Sequence, residues 1–301
     1  MNTTVIPTSV HKSALLRYAS ILRLRDILVL QGSPLIGAAL AIGRPQTHDF
    51  SRLAILLTGN VLLMAHVFML NDWAGLAADL TDPHKAAGVF RARGVGTREI
   101  GGLTAGFLAV SLLLFSRLGA LTAALALAIA VLSALYSLPR FDWKGKPLLN
   151  SAAHLGGGIV HFLLGYSLGS AIDRRGVTTA AFFALIFAAG HLTQEIRDYE
   201  GDARNAIRTN AVIFGPRRTF AASLVLFTLA HLLFLLLALR EILPRPLAAV
   251  VLLHPVQLYW SFKTLREGLL TFGSVSRLQA RYRALYALIG VAIVAALWIS
   301  G

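Results

Sequence analysis

The sequence predicts an all-α integral membrane protein with nine transmembrane helices. Three observations carry that prediction. Of 301 residues, 56% are apolar and only 14% are charged, against roughly a quarter charged in a typical soluble domain. The mean hydropathy is +0.68. The apolar residues fall in runs of the length a helix needs to cross a bilayer core, ~20 residues. A disordered chain and an ordinary soluble enzyme are excluded by the same numbers. The chain has no cysteine, which excludes a disulfide framework, a thiol nucleophile and a cysteine-ligated metal.

In chain order the expected spans are 19–42, 52–70, 100–116, 118–137, 148–170, 177–196, 218–239, 245–262 and 282–300. The first carries Arg23, Arg25 and Asp26 in its opening turns. It has no small-residue cleavage site, so it reads as a span rather than a signal peptide. Spans three and four are separated only by Arg117-Leu118-Gly119, which demands a tight hairpin. Gly43-Arg44-Pro45, Gly215-Pro216 and Pro244-Arg245-Pro246 punctuate other ends. The whole chain, 1–301, reads as a single membrane domain, with weak four-helix pseudo-repeats around 19–147 and 148–262.

The net charge is +14, from 28 Lys and Arg against 14 Asp and Glu. Alternating spans place 21 of the 28 basic residues on the side of the N-terminus. Arg44, Arg52, Arg117, Arg174, Arg175, Arg240 and Arg245 fall on the other side. That asymmetry predicts a cytoplasmic N-terminus in a bacterial inner (cytoplasmic) membrane. The basic residues are spread over five segments with no stripe or nucleic-acid motif, so nucleic acid is not an expected partner. Arg277, Arg281 and Arg283 before the last span are expected to face anionic membrane lipids.

The acids gather at two places on the N-terminal side. One is Asn71-Asp72-Trp73-Ala74-Gly75-Leu76-Ala77-Ala78-Asp79, with Asp82 and Lys85 following, at the end of span two. On a helix, Asn71, Gly75 and Asp79 share a strip and Asp72 lies on its neighbour. The other is His191, Glu195, Asp198 and Asp202, spaced 4, 3 and 4 apart at the end of span six. Carboxylates at a membrane face are costly unless solvated, paired or metal-bound. Hard oxygen donors from two helices suit Mg²⁺ shared with a substrate phosphate, and nearby Lys and Arg assist. Lys85, Arg91, Arg140, Lys144 and Arg197 are the candidate diphosphate-binding side chains. Asn71 and Asp198 are 127 residues apart, as are Gly75 and Asp202.

At these residues the sequence resembles the UbiA superfamily of intramembrane prenyltransferases, whose pattern is Asn-Asp-x-x-Asp-x-x-x-Asp after the second span and Asp-x-x-x-Asp after the sixth. Arg197-Asp198-Tyr199-Glu200-Gly201-Asp202, followed by Ile207-Arg208-Thr209 and Phe214-Gly215, matches the second motif. Tyr136-Ser137-Leu138-Pro139-Arg140 and Lys144-Gly145-Lys146-Pro147 resemble the stretch between spans four and five. The resemblance implies a helical bundle with a central cavity opening to the cytoplasmic side. It implies Mg²⁺ held by Asn71, Asp72, Asp79, Asp198 and Asp202, with Asp72, Asp79, Asp198 and Asp202 as the catalytic acids. It also implies transfer of a prenyl group from an allylic prenyl diphosphate to a hydrophobic acceptor, commonly aromatic or a quinone precursor. The sequence departs from the pattern at Gly75, where the family has its middle Asp, and in Val89–Gly94, where the usual Asn-Arg-Pro stretch is blurred. A terpene cyclase, a phosphoribosyl-type transferase (Asp79-x-x-Asp82-Pro83-x-Lys85) and a non-catalytic lipid-binding or transport relative are the alternatives.

His66, Tyr136 and His191 are expected in the acceptor pocket, with a hydrogen bond to a neighbouring helix as the competing role for His66. His154 and His161 are expected to be structural. Gly156-Gly157-Gly158 lacks the strand, helix and lysine of a nucleotide loop and predicts close helix packing. Phe182, Phe183 and Phe187 are expected to pack or to face lipid.

Overall fold

The computed structural model describes residues 14–300 apart from 170, 268 and 269. Lys12, counted above among the basic residues of the N-terminal side, lies outside the described residues. Among the described residues every regular element is helical. The elements are α1 (Ala14–Ile21), α2 (Leu24–Val29), α3 (Gly32–Ile42), α4 (Thr47–Ala74), α5 (Leu76–Thr81), α6 (Thr97–Ser116) and α7 (Ala120–Ser137). There follow α8 (Leu149–Tyr166), α9 (Arg174–Arg197), α10 (Tyr199–Arg204), α11 (Asn210–Phe214), α12 (Pro216–Leu239), α13 (His254–Arg266) and α14 (Phe272–Ser300).

The ends follow local chemistry. The Gln46 N–H donates to Asp49 Oδ2 at 2.9 Å at the start of α4, and Asp173 Oδ1 accepts from the Gly176 N–H at 2.8 Å at the start of α9. Both satisfy first-turn donors that a helix leaves unpaired. Pro216 opens α12 behind Gly215 at φ 86°. Gly119, at φ 133°, makes the predicted hairpin between α6 and α7, in a conformation that favours glycine.

Among the described residues, seven stretches are long and apolar enough to cross a membrane: Leu24–Ile42, Thr47–Ala74, Thr97–Ser116, Ala120–Ser137, Arg174–Arg197, Pro216–Leu239 and Phe272–Ile299. The expected span 148–170 is α8, whose Asn150, Ser151, His154, His161 and four glycines dilute its apolar character. The expected span 245–262 divides into a 3₁₀ stretch, Arg245–Leu253, and the 13-residue α13.

Glycine lets three of the long helices approach closely. A Cβ at Gly165 of α8 would lie 1.7 Å from the Pro34 carbonyl oxygen of α3, and one at Gly37 would lie 2.4 Å from the Phe162 oxygen. Gly158 meets the Ala184 Cα of α9 in the same way, at 2.7 Å. Of the predicted glycine triplet, only Gly158 makes a backbone contact this close. Phe182 is fully buried beside Phe234, and Phe183 stacks on Phe162, so these aromatics pack the core. Deeper in the bundle, His161 Nε2 lies 2.9 Å from Asn60 Oδ1, and Asn60 donates to Gln31 Oε1 at 2.8 Å. That chain of bonds satisfies three buried polar side chains, as predicted for His161.

Candidate functional site

The two acidic motifs are built alike. α4 ends at Gly75, with φ −88° and ψ 3°, and the six-residue α5 follows. α9 ends at Asp198, with φ −90° and ψ 3°, and the six-residue α10 follows. Helical bonding continues across each break. The Gly75 N–H donates to the Asn71 oxygen at 2.8 Å, and the Asp198 N–H to the Gln194 oxygen at 2.9 Å. The offset between the breaks is 123 residues, one helical turn short of the 127 read from the sequence. The structural counterpart of Asp198 is therefore Gly75, and that of Asp202 is Asp79.

The two short helices lie against each other. Thr81 Oγ1 donates to Asn205 Oδ1 at 2.8 Å, and Asn205 Nδ2 donates to the Ala78 oxygen at 3.3 Å. A Cβ at Gly201 would lie 2.5 Å from Asp82 Oδ2, so only glycine leaves room for Asp82 there. Asp82 is fixed in turn by the His84 N–H at 2.9 Å.

Lys85 joins the motifs. Its Nζ lies 3.1 Å from Asp198 Oδ2, 3.7 Å from Asp82 Oδ2 and 3.9 Å from Asp79 Oδ1. Burial opposes its charge, but Asp198 and then Asp79 outweigh it and hold its pKa above that of a free lysine. Asp198 also accepts from Arg197 Nε at 2.7 Å and from Nη2 at 3.1 Å. Burial pushes the Asp198 carboxyl up, yet Arg197 and Lys85 prevail and keep it below the ordinary carboxylate range. For Asp202 burial wins: against the pull of Lys144 and Lys85, its pKa is pushed up to about 6. Asp72 is held by Arg23, and Asn71 Nδ2 lies 3.4 Å from Ser137 Oγ.

The structure thus gathers Asp79, Lys85, Lys144, Arg197, Asp198 and Asp202 at one end of the bundle. It leaves Arg91 exposed on a 3₁₀ turn and Arg140 exposed over the Phe141 ring. Arg23 and Asp82 were not among the predicted site residues. Arg23 is one of the three charges in the opening turns of the first expected span, and α2 begins one residue after it. The start of α14 also reaches this end, where Phe272 stacks on His84 with ring centroids 4.1 Å apart.

Beside the acids lies an aromatic group. The rings of His154 and His191 stack at 3.5 Å, and Tyr136 meets them edge-on at 5.0 Å and 6.2 Å. Buried Glu195 anchors this corner. It accepts from Asn150 Nδ2 at 2.5 Å, from Asn210 Nδ2 at 3.2 Å and from the Ala211 N–H at 3.3 Å, and it lies 3.0 Å from His191 Nε2. Of the three residues predicted for the acceptor pocket, Tyr136 and His191 meet. His66 is bonded elsewhere, with its Nδ1 2.9 Å from the Thr104 oxygen on α6.

Among the described residues, no three His, Asp or Glu side chains are already spaced to enclose a metal ion. The point where Asp79, Asp82 and Asp198 converge is held by the Lys85 ammonium. Hard carboxylate oxygens drawn around a cation are the donor chemistry that Mg²⁺ takes; here the cation they surround is the Lys85 ammonium.

The sequence model of the UbiA prenyltransferase family matches residues 33–271. The chain belongs to the UbiA prenyltransferase family. It is accordingly a prenyltransferase. The fold of this UbiA-family member is similar to that of a UbiA homologue from Archaeoglobus fulgidus bound to GPP and Mg²⁺, with 18% identity and a TM-score of 0.70, over 93% of this chain and 99% of that one. The same homologue bound to DMAPP and Mg²⁺ gives the same values. A digeranylgeranylglyceryl phosphate synthase structure is similar at 16% identity and a TM-score of 0.71, over 94% and 98% of the two chains. A search of curated protein sequences returned no match.

Proposed function

We propose that this UbiA-family protein transfers a prenyl group from an allylic prenyl diphosphate to an aromatic or quinone-precursor acceptor, and that the two acidic motifs form its diphosphate site. The observation that carries the reading is the convergence of Asp79, Asp82 and Asp198, from both motifs, on one cation position. Asp79, Asp82, Asp198 and Asp202, with Asn71 beside them, are the residues that would hold Mg²⁺; Asp72, expected among them, is taken by Arg23. Bound there, Mg²⁺ would neutralise the diphosphate oxygens and ease their departure. Lys85, Lys144 and Arg197 supply fixed positive charge to the same leaving group.

In this reaction the allylic C–O bond breaks and its electron pair leaves with the diphosphate. The prenyl carbon then bonds to the acceptor, which loses a proton. Tyr136, His154 and His191 present ring faces and edges next to the acids, where a flat acceptor would lie against them. Glu195 lies beside His191 and, by accepting from Asn150, ties α8 to α9, the two helices that carry both imidazoles. The surrounding spans exclude water from the reacting carbon. In this reading the bundle is one membrane domain with nine crossings, its cavity and N-terminus face the cytoplasm, and the membrane is a bacterial inner membrane. The position of Asp82 and Lys85 inside the cluster favours, as a second reading, a phosphoribosyl-type donor.

The test is diphosphate release by the purified protein with Mg²⁺, a radiolabelled prenyl diphosphate and a panel of aromatic acceptors. Release that Asp198→Ala and Asp202→Ala abolish is expected. Failure with every acceptor, or wild-type turnover by Asp198→Ala, would overturn the proposal. Release only with a phosphoribosyl donor would select the second reading.

A further inference from the structure

The end of the bundle opposite the acidic motifs carries a second charged feature. A cleft of about 840 Å³ opens there between the end of α3, the start of α9 and the ends of α12 and α14. Its walls are apolar (Leu40, Ile242, Leu243, Pro244 and Leu297), and Arg174, Arg175 and Arg240 line it with one acid, Glu241. This end is otherwise poor in basic residues, so each arginine needs an explanation.

Several are accounted for by the fold. Arg44 donates to the Trp298 oxygen at 2.7 Å and 3.1 Å, Arg52 donates to the Leu168 oxygen, and Arg175 Nε donates to the Ile242 oxygen at 3.1 Å. These satisfy carbonyls at or just beyond helix ends. Arg245 lies 3.9 Å from Glu241, and Asp173 is occupied by the Gly176 N–H and the Tyr166 hydroxyl. Arg174 and Arg240 are exposed, and among the described residues their side chains have no hydrogen bond or ion pair. They share the cleft.

We infer that this cleft binds an anionic phospholipid of the leaflet facing this end. Its headgroup phosphate is held by Arg174, Arg240 and the free edge of Arg175, and an acyl chain lies on Leu40, Leu243 and Leu297. Guanidinium groups match phosphate in shape and charge, and the cleft sets Leu40, Leu243 and Leu297 beside the arginines. A zwitterionic headgroup brings its own cation to the same place and is disfavoured. Inorganic phosphate lacks the chain that the apolar wall accepts.

The test is lipid binding to the full chain in neutral detergent, read by native mass spectrometry and by thermal shift. The probes are dioleoyl phosphatidylglycerol, dioleoyl phosphatidylcholine and inorganic phosphate. Phosphatidylglycerol should bind and raise the melting temperature, and the other two should not. Arg174→Gln with Arg240→Gln should weaken phosphatidylglycerol binding on the order of tenfold, since each arginine adds to anionic-lipid attraction. Arg174→Lys with Arg240→Lys, which keeps the charges, should retain most of it. Equal binding of phosphatidylcholine, binding of inorganic phosphate alone, or an undiminished affinity in the glutamine variant would each overturn the inference.

Discussion

Lys85→Gln separates the two halves of the proposed site chemistry. The Lys85 ammonium sits 3.1–3.9 Å from three carboxylates where a divalent ion would have to enter. Two unit charges at about 4 Å interact by roughly 1 kcal/mol in bulk water and roughly 4 kcal/mol at an effective dielectric of about 20. The Lys85 side chain is 26% exposed, so its environment lies between those limits. Against a doubly charged ion at similar range the repulsion is at least about 2 kcal/mol even with water-like screening, more than about tenfold in affinity. Mn²⁺ binding without diphosphate, followed by electron paramagnetic resonance, should therefore tighten at least about tenfold in Lys85→Gln. Binding of the diphosphate should weaken by a similar factor, because a phosphate contact is lost. In the wild type, then, the metal binds well only together with the diphosphate, whereas the variant loses most of that coupling. An unchanged affinity for Mn²⁺ alone would refute the claim that Lys85 occupies the metal position. If the wild type failed to bind Mn²⁺ even with diphosphate, the metal–diphosphate reading itself would fall.

Three further outcomes follow from the same geometry. Asp202 has a pKa of about 6 in the fold against 3.8 for a free side chain, so the folded state holds the extra proton between those values. Its contribution to stability is greatest below about pH 4 and is lost as the pH rises through 6, at a cost of order 3 kcal/mol. In chelator, Asp202→Asn should melt higher than wild type at pH 8, the gap should close near pH 4, and activity should still be lost. Gly201→Ala puts a Cβ 2.5 Å from Asp82 Oδ2; spreading α5 from α10 should lower turnover at least about tenfold at a stability cost of about 1–3 kcal/mol, seen by steady-state kinetics and melting. Glu195→Ala strands the Asn150, Asn210 and Ala211 donors and should cost about 2–3 kcal/mol, read as a lower melting temperature.

Much of this architecture is legible in the sequence because bilayer physics is one-dimensional. Leu, Ala, Val and Ile runs had to become helices wherever the backbone meets lipid, and seven of the expected spans appear as such. α8 and α13 were harder. The polar face of α8 is turned onto neighbouring helices, where Asn150 meets Glu195 and His161 meets Asn60. Hydropathy cannot distinguish that from a poor span. The positions of Asp198 and Asp202 were readable from spacing alone. Arg23 holding Asp72, and Asp82 packed against Gly201, were not, because those contacts join residues 49 and 119 positions apart. The 127-residue spacing of the polar side chains differs from the 123 residues between the helix breaks for a similar reason. Carboxylates and amides mark where side chains match, whereas the helix breaks mark where the backbones match.

That corrected alignment changes what Gly75 means. In the second motif the break residue, Asp198, is the carboxylate that gathers Arg197 and Lys85. In the first motif the break residue has no side chain at all. Its backbone angles are ordinary; a Cβ there would lie 3.0 Å from the Asn71 carbonyl oxygen and 3.7 Å from Asp79 Oδ2, close to the converging acids. The first motif compensates from its own continuation: Asp82 enters the cluster beside Asp79, and Lys85 ties both to Asp198. Asp72 is not a free replacement, since Arg23 already holds it. In the proposed site, the acid missing at Gly75 is thus supplied seven residues on, by the residue that caps the end of α5. Asp82 is therefore the residue on which the metal chemistry of the first motif should depend beyond what the family pattern implies.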